Sequence, residues 1–294
     1  MKSKAGVLLT AHGTVDAIED MPAFVARIRH GRPAPPELVL DLQRRYREIG
    51  GSPLLAITRA QADALQQELG LPVFIGMRLW RPELREALGQ AIEQNVRRLC
   101  VLPLAPYSVP VYARAAERAL SELGVQGLEL VAVAPYGTSS GLVEAHARAI
   151  APFLAGATPD ATELILTAHS LPQSVIDGGD PYAELVSQSA RSIARALDWP
   201  YQLAFQSQGA DGGAWLGPDL KAALAAAAGR GRRRVVVAPV GFLCDHVETL
   251  YDLDIEARRW ADDSRLEFAR VPALNSAQPL IAALTTAVRS ALSD

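Results

Sequence analysis

The sequence predicts an α/β fold of two Rossmann-like lobes, each a parallel sheet flanked by helices. Short apolar runs alternate with longer amphipathic segments throughout the 294 residues, as in repeated strand–helix–strand units. The apolar runs are leucine-rich or β-branched and do not alternate with polar residues, which is typical of strands covered on both faces. The same four residues, Leu-Thr-Ala-His, occur at 9–12 and at 166–169, which indicates two similar lobes.

Eight strands and six helices are predicted in order along the chain. The strands are 5–11, 73–77, 99–104, 128–134, 163–168, 202–206, 234–239 and 266–271. The helices are 59–69, 82–95, 111–123, 142–154, 181–197 and 218–228. Residues 16–36 carry prolines and a glycine and lack clear periodicity at their end. They are predicted to form an elaborated, substrate-facing excursion from the first strand.

The composition is that of a globular protein and excludes several classes of function. Hydrophobic residues make up 49% and charged residues 21%, with a formal net charge of −3. The arginines are scattered and form no basic tail, so no nucleic-acid partner is expected. The two cysteines, Cys100 and Cys244, are too few for a disulfide framework or a four-thiolate iron–sulfur cluster within one chain.

No segment reads as a membrane span or a secretion signal. No apolar stretch approaches the roughly 20 residues that cross a bilayer. The apolar run after the basic start, residues 5–9, is too short for a signal peptide. We therefore expect a cytoplasmic protein without an integral membrane segment.

A histidine at the end of each repeated motif is the first candidate for chemistry. His12 and His169 both close an apolar strand, and the carboxyl edge of an open α/β sheet is where ligands bind. Two such edges facing each other would form a cleft with a histidine on either side. A histidine in this position can be a metal ligand or a general base, or it can be hydrogen-bonded in a loop, and the residues alone leave both open.

Acidic residues follow the seventh predicted strand. If the chain is helical from Asp245, then Glu248, Asp252 and Glu256 recur every fourth residue and form one stripe. Exposed like charges at this spacing repel by about a few tenths of a kcal/mol per pair, so the stripe either faces water or binds cations. His246 is interpreted as a structural residue near the helix start. Imidazole with carboxylate is a reasonable iron(II) site, although neither ligand type is selective alone.

Motifs of other enzyme classes are missing from the sequence. It contains no His-Glu-x-x-His, Walker A loop, Gly-x-Gly-x-x-Gly or Gly-x-Ser-x-Gly. Zinc hydrolysis, nucleotide use and acyl-enzyme chemistry therefore have little support. Ser170, which follows His169, is not predicted to be a nucleophile.

The order of motifs resembles that of the ferrochelatase family across nearly the whole chain. The matching segments are Ala11-His12-Gly13-Thr14, Tyr46, Ile49-Gly50-Gly51-Ser52-Pro53-Leu54, His169-Ser170-Leu171-Pro172, Gly179-Asp180-Pro181-Tyr182, Phe205-Gln206-Ser207, Trp215-Leu216-Gly217-Pro218, Pro239-Val240-Gly241-Phe242 and Asp245-His246-Val247-Glu248-Thr249-Leu250-Tyr251. Each segment alone is modest, but their order and spacing together are highly specific. The chain is identified as a member of this family, of the short, soluble bacterial type.

The resemblance implies a chelatase-like arrangement of two lobes around a porphyrin cleft, in an enzyme of haem biosynthesis. The lobes are predicted at 1–127 and 128–274, with the C-terminal helix 275–294 packing back on the first. Iron(II) would enter the ring as two N–H protons leave, in a lyase reaction. A flat porphyrin hides its nitrogen lone pairs, so binding energy from its edges must supply the distortion that exposes them.

The resemblance also implies roles for individual residues. His169 and Glu248 are the implied pair at the metal step, and the acidic stripe adds Asp252 and Glu256 as metal contacts. Residues implied to hold the porphyrin and its propionates are His12, Arg29, Arg45, Tyr46, Ser52 and Tyr112. Iron(II) is a substrate, with no tightly bound cofactor and no iron–sulfur cluster expected. A monomer is expected, and transient peripheral contact with a membrane stays open.

Two departures from the short bacterial class bear on substrate and on rival functions. That class often has tyrosine at the position of His12, where it can reach the metal in the product, so His12 is either an axial ligand or a neutral hydrogen-bonding group. His30 stands where the class tends to have arginine. The site therefore has one fewer fixed positive charge, which weakens the prediction of a porphyrin substrate with four propionates. Coproporphyrin III and protoporphyrin IX both remain candidates. The alternatives are a cobalt or nickel chelatase for a precorrin-type tetrapyrrole, which paired histidines would suit, and a non-catalytic haem or porphyrin carrier.

Overall fold

The computed structural model describes residues 4–209 and 213–293, which form two compact units. The first unit contains the described residues up to Tyr136 together with those from Asn275 onward. The second contains the described residues of Gly137–Leu274. Each unit has its own parallel sheet.

The first unit is built on a sheet with the strand order β2-β1-β3-β4. Its strands are β1 (Ala5–Ala11), β2 (Val73–Met77), β3 (Arg98–Pro103) and β4 (Glu129–Ala132). Its helices are α1 (Met21–Ile28), α2 (Pro36–Glu48), α3 (Leu54–Leu69), α4 (Leu84–Glu93) and α5 (Val109–Leu123), with a 3₁₀ turn at Ile18–Asp20. The C-terminal helix, Gln278–Ser293, packs on α3 and β3 of this unit.

The second unit repeats this topology in the order β6-β5-β7-β8. Its strands are β5 (Thr162–His169), β6 (Tyr201–Gln206), β7 (Arg234–Ala238) and β8 (Glu267–Arg270). Its helices are α6 (Ser140–Leu154), α7 (Gln173–Asp177), α8 (Tyr182–Leu197), α9 (Leu220–Gly229), α10 (Val247–Leu250) and α11 (Arg258–Asp263), with a π-helical turn at Asp252–Ala257. The repeated Leu-Thr-Ala-His therefore lies at the carboxyl ends of β1 and β5, which hold the same place in their sheets.

Both faces of the second sheet are buried, which accounts for its unbroken apolar strands. Ile165 and Val235 pack in one core with residues of α9, whereas Leu164 and Val236 pack in another with residues of α6 and α8. All four are fully buried, and burying a side chain of this size stabilises the fold by about 1.5–3 kcal/mol. These two cores hold rigid the strand ends from which the candidate site is built.

The predicted strands are confirmed, each with ends within two residues of the observed ones. The excursion predicted at 16–36 contains the 3₁₀ turn, α1 and the first residue of α2, and that it faces the substrate stays a prediction. Proline occupies the first helical turn of both helices, where its missing N–H costs nothing. Pro22 and Pro36 are therefore compatible with helices that begin at Met21 and Pro36.

The predicted lobe boundary after residue 127 lies too early. β4 pairs in parallel with β3, with Leu130 beside Leu99, so residues up to Tyr136 belong to the first unit. β4 is a short edge strand whose side chains are partly or fully exposed, which leaves little in its sequence to assign it to a core.

Within the described ranges, no helix has the length and apolar character to span a lipid bilayer.

Candidate active site

The candidate site lies at the carboxyl ends of β5 and β7. Strand order reverses between these two neighbours, since β6 lies on one side of β5 and β7 on the other. Ligands of doubly wound sheets bind at such a switch point. His169 is the last residue of β5, and the chain leaving β7 leads to Glu248 on α10.

A close backbone approach brings these two strand ends together. A Cβ atom on Gly241 would lie 2.6 Å from the Cα of Ala168, closer than any side chain tolerates. The amide of Gly241 also donates to the Thr167 carbonyl at 3.0 Å. Glycine at 241 therefore lets the segment after β7 pass directly beside His169.

The centre of the site is the Glu248 carboxylate, which lies between two imidazoles. Its Oε1 is 3.5 Å from His169 Nε2, and its Oε2 is 3.5 Å from His246 Nε2. The side chains of His169 and Glu248 are 35% and 31% exposed, so the pair is partly open to a ligand. His246 is hydrogen-bonded at the start of α10, as predicted, and its ring also lies beside Glu248.

Both imidazoles are oriented by backbone carbonyls. His169 Nδ1 faces the Ser170 carbonyl, and His246 Nδ1 lies 3.0 Å from the Cys244 carbonyl. A carbonyl oxygen only accepts, so Nδ1 carries the hydrogen in both rings. Metal-binding histidines commonly donate one ring N–H to a backbone carbonyl in this way. When neutral, each ring then directs the lone pair of its Nε2 toward Glu248.

The electrostatics of the three groups are coupled. Burial alone would lower the pKa of His169, but the Glu248 carboxylate raises it to about 9. Burial would raise the pKa of Glu248, but the two imidazoles hold it well below its usual value. The pKa of His246 is raised by the same carboxylate against the effect of burial. The metal-free cluster is thus an ion pair at neutral pH.

Hydrogen bonds from β5, β6 and α8 fix the backbone of the cluster. Tyr182 Oη donates to the His169 carbonyl at 2.8 Å. Gln206 Nε2 donates to the Glu248 carbonyl at 2.7 Å, while Thr167 Oγ1 donates to Gln206 Oε1 at 2.7 Å. Gln206 is 5% exposed and so connects the strand that carries His169 to the turn that carries Glu248.

The acidic residues of the predicted stripe do not lie on one regular α-helix: Glu248 is on α10, and Asp252 and Glu256 are in the π-helical turn after it. The helix begins at Val247 rather than Asp245, because His246 is its N-cap and Thr249 Oγ1 accepts from the His246 amide at 3.0 Å. After α10 the chain widens into the π-helical turn, in which the Glu256 amide donates to the Tyr251 carbonyl five residues back. Such turns occur often at functional sites.

Asp252 is the buried member of the stripe. It is 8% exposed and accepts a hydrogen bond from Ser207 Oγ at 2.5 Å, whereas Glu256 is half-buried. The alternative of a solvated face is therefore wrong for Asp252. Across residues 4–209 and 213–293, no three histidine, cysteine or acidic side chains are arranged to hold a metal ion by themselves, so further ligands would have to complete any metal site.

The residues implied to hold a porphyrin all lie in the first unit. His12 follows β1, is exposed, and meets the Phe24 ring edge-on at 6.3 Å between centroids. Tyr46 is buried with its hydroxyl 2.9 Å from Thr14 Oγ1, which gives it a packing role. Arg45 Nε pairs with Asp41 at 2.7 Å within α2, so its charge is already matched.

The remaining three differ in their surroundings. Ser52 Oγ is buried and makes no hydrogen bond to the part of the chain that is described, as expected of a group that awaits a polar ligand. Tyr112 is buried on α5 with the Arg78 guanidinium 5.8 Å from its ring centroid. Arg29 caps the end of α1 and is half-buried.

Solved structures with this fold are chelatases. The chain is similar to SirB from Bacillus subtilis with Fe3+, with a TM-score of 0.59 and 13% identity over 98% of this chain and 95% of that one. It is also similar to CbiX, the terminal enzyme of sirohaem biosynthesis in denitrifying bacteria, with a TM-score of 0.52 and 14% identity over 97% and 99% of the two chains. These low identities show the fold alone, which is the two-lobed chelatase fold.

Sequence relatives identify the family. The ferrochelatase family model matches residues 4–292. A ferrochelatase of Acidobacterium capsulatum is 36% identical, covering 99% of this chain and 96% of the relative. A coproporphyrin III ferrochelatase of Bacillus pumilus is 32% identical, covering 100% and 99%. The chain belongs to the ferrochelatase family, which confirms the resemblance of its motifs.

The ion pair predicts the titration of His169 in the metal-free protein. With Glu248 intact, we expect the imidazole to titrate near pH 9, so that it stays protonated at neutral pH. Glu248→Gln keeps the shape but removes the carboxylate charge that contributes most to raising this pKa, so we expect the titration to move to lower pH. NMR of ring-labelled histidine measures both, and an unchanged titration in the variant would contradict the assignment.

Proposed function

We propose that this protein is a porphyrin ferrochelatase of haem biosynthesis, a lyase that inserts iron(II) into the ring. In the reaction one Fe2+ replaces two pyrrole N–H protons, and both protons leave. The observation that carries the proposal is the Glu248 carboxylate between His169 Nε2 and His246 Nε2, each 3.5 Å away. The family match over residues 4–292 supplies the porphyrin as the substrate class.

His169 and Glu248 would serve both halves of the exchange. An imidazole nitrogen and a carboxylate together suit iron(II), and the same lone pairs accept protons. Because three such side chains do not enclose a metal within the described residues, the porphyrin nitrogens themselves would complete the coordination. Iron would then be bound weakly enough by the protein to pass into the ring.

Asp252 and Glu256 would form the approach for the metal. Oxygen ligands suit a hydrated divalent cation, and both residues lie on the π-helical turn that follows Glu248. Ser207 donates to Asp252, which fixes the orientation of this carboxylate. The proposed order of contact runs along this turn to Glu248.

The first unit would bind the porphyrin through His12, Arg29, Arg45, Tyr46, Ser52 and Tyr112. Of these, Ser52 has the strongest support, because its buried hydroxyl makes no hydrogen bond to the described residues. The relatives include a coproporphyrin III ferrochelatase, and that porphyrin carries four propionates where protoporphyrin IX carries two. His30 in place of a fixed positive charge weakens the case for four. We further propose a cytoplasmic monomer without a tightly bound cofactor.

The direct test is anaerobic incubation with iron(II) and, separately, protoporphyrin IX and coproporphyrin III. We expect loss of porphyrin fluorescence and appearance of a metalloporphyrin spectrum with at least one of them. His169→Ala should lower kcat at least a hundredfold, because positioned acid–base groups contribute about 10²–10⁴-fold. His146→Gln, a change at a buried histidine of α6 outside the site, is the control. Turnover with neither porphyrin would refute the proposed function, and near-normal turnover of His169→Ala would remove that residue from it.

If Asp252 lies on the path of the incoming metal, its loss should change KM for iron(II) more than kcat. Asp252→Asn keeps the size of the side chain and removes its charge, so we expect a fivefold or greater rise in KM for iron(II) with kcat changed less than threefold. Asp262→Asn, at an exposed carboxylate of α11, is the matched control. The measurement is the initial rate over a range of iron concentrations. The same dependence on iron concentration in both variants would show that Asp252 has no part in binding the metal.

A further inference from the structure

One arginine binds a carboxylate that precedes α10, the helix that carries Glu248, and another that follows it. Arg270 is the last residue of β8, and its register partner on β7 is Val237. Its Nη1 donates to Asp245 Oδ1 at 2.7 Å. Its Nε and Nη2 donate to the two oxygens of Asp254 at 2.8 and 2.7 Å.

The two carboxylates flank α10 in the sequence. Asp245 precedes the helix, and Asp254 lies in the π-helical turn that follows it. Thr249 Oγ1 also donates to Asp245 Oδ1 at 3.0 Å, which links this carboxylate to the N-cap of the helix. The four-residue helix that carries Glu248 thus has, before and after it, carboxylates that bind the same guanidinium.

The contacts are of the kind that hold geometry. The side chains of Arg270 and Asp245 are each 11% exposed, so they are little screened by solvent. A guanidinium binds a carboxylate through two parallel N–H groups and still has a third donor direction, which a lysine ammonium cannot reproduce. A helix of one turn has little stability of its own, so its position depends on such anchors.

We propose that Arg270 is a positioning residue for iron insertion, which clamps Asp245 and Asp254 and so holds Glu248 against His169. This inference rests on the proposed function. It also assigns Asp245, which precedes α10, to the clamp. Arg270 itself contacts neither Glu248 nor His169 through any described hydrogen bond.

The test compares three variants with the intact protein. Arg270→Lys keeps the charge and loses the fork, Arg270→Gln loses both, and Asp254→Asn keeps the clamp's shape while removing one charge. Arg234→Gln, which breaks the ion pair to Glu267 at the opposite end of the same two strands, is the matched control. Measured quantities are kcat and KM for iron(II), porphyrin affinity by fluorescence, and amide hydrogen exchange over residues 246–256.

We expect kcat/KM for iron to fall at least tenfold in Arg270→Lys and further in Arg270→Gln, with porphyrin affinity unchanged within threefold. Exchange over residues 246–256 should quicken at least tenfold, and Arg234→Gln should alter none of these. A merely structural arginine would lower the melting temperature and leave the kinetics per folded molecule intact. If Arg270→Gln does not fold, Arg270→Lys and Asp254→Asn decide the matter.

Two outcomes separate this inference from the proposed function. If the intact protein inserts iron and the folded Arg270 variants do so within twofold of it, the clamp is overturned and the function stands. If the intact protein inserts no iron, the function fails, and exchange alone judges the clamp: unchanged exchange over residues 246–256 in Arg270→Lys overturns it.

Discussion

The second unit is organised around one interaction, the Glu248 carboxylate between the Nε2 atoms of His169 and His246. A partly buried carboxylate is costly unless positive groups surround it, and here two imidazoles do so. Their Nδ1 atoms are committed to backbone carbonyls, so their orientation is set before any ligand arrives. The family to which the chain belongs handles a metal and a macrocycle that must exchange protons, and such a cluster presents ligands and proton acceptors at one point.

The sheet topology makes this interaction possible. Strand order reverses between β5 and β7, which leaves room beyond their carboxyl ends, and Gly241 lets the two chain segments pass closely enough for contact. Gln206 on β6 and Arg270 on β8 then reach the Glu248 turn from the two edges of the sheet. All four strands of the unit therefore contribute to holding one carboxylate.

The sequence predicted the strands well because burial on both sheet faces leaves a strong and simple signal, as in Leu164 and Ile165. The resemblance of the motifs named His169 and Glu248 as a pair, and their side chains do lie 3.5 Å apart, while their role at the metal step stays a prediction. The sequence did not predict that the His246 ring lies beside Glu248, since a lone histidine at a helix start carries no spacing signal. The π-helical turn and the Arg270 clamp were also out of reach, because one is a local hydrogen-bond choice and the other joins residues distant in sequence. The edge strand β4 was assigned to the wrong unit for want of buried side chains.

The central claim is that His169 and Glu248 act as one unit, and a double-mutant cycle tests it most directly. The measurement is kcat/KM for iron(II) in His169→Gln, in Glu248→Gln and in the double variant. If the two residues act as one unit, each single change lowers kcat/KM at least about a hundredfold. The double variant then lies within about threefold of the slower single variant, because either change alone already removes the shared contribution. Losses that multiply in the double variant would contradict this account, since they would show two residues acting independently.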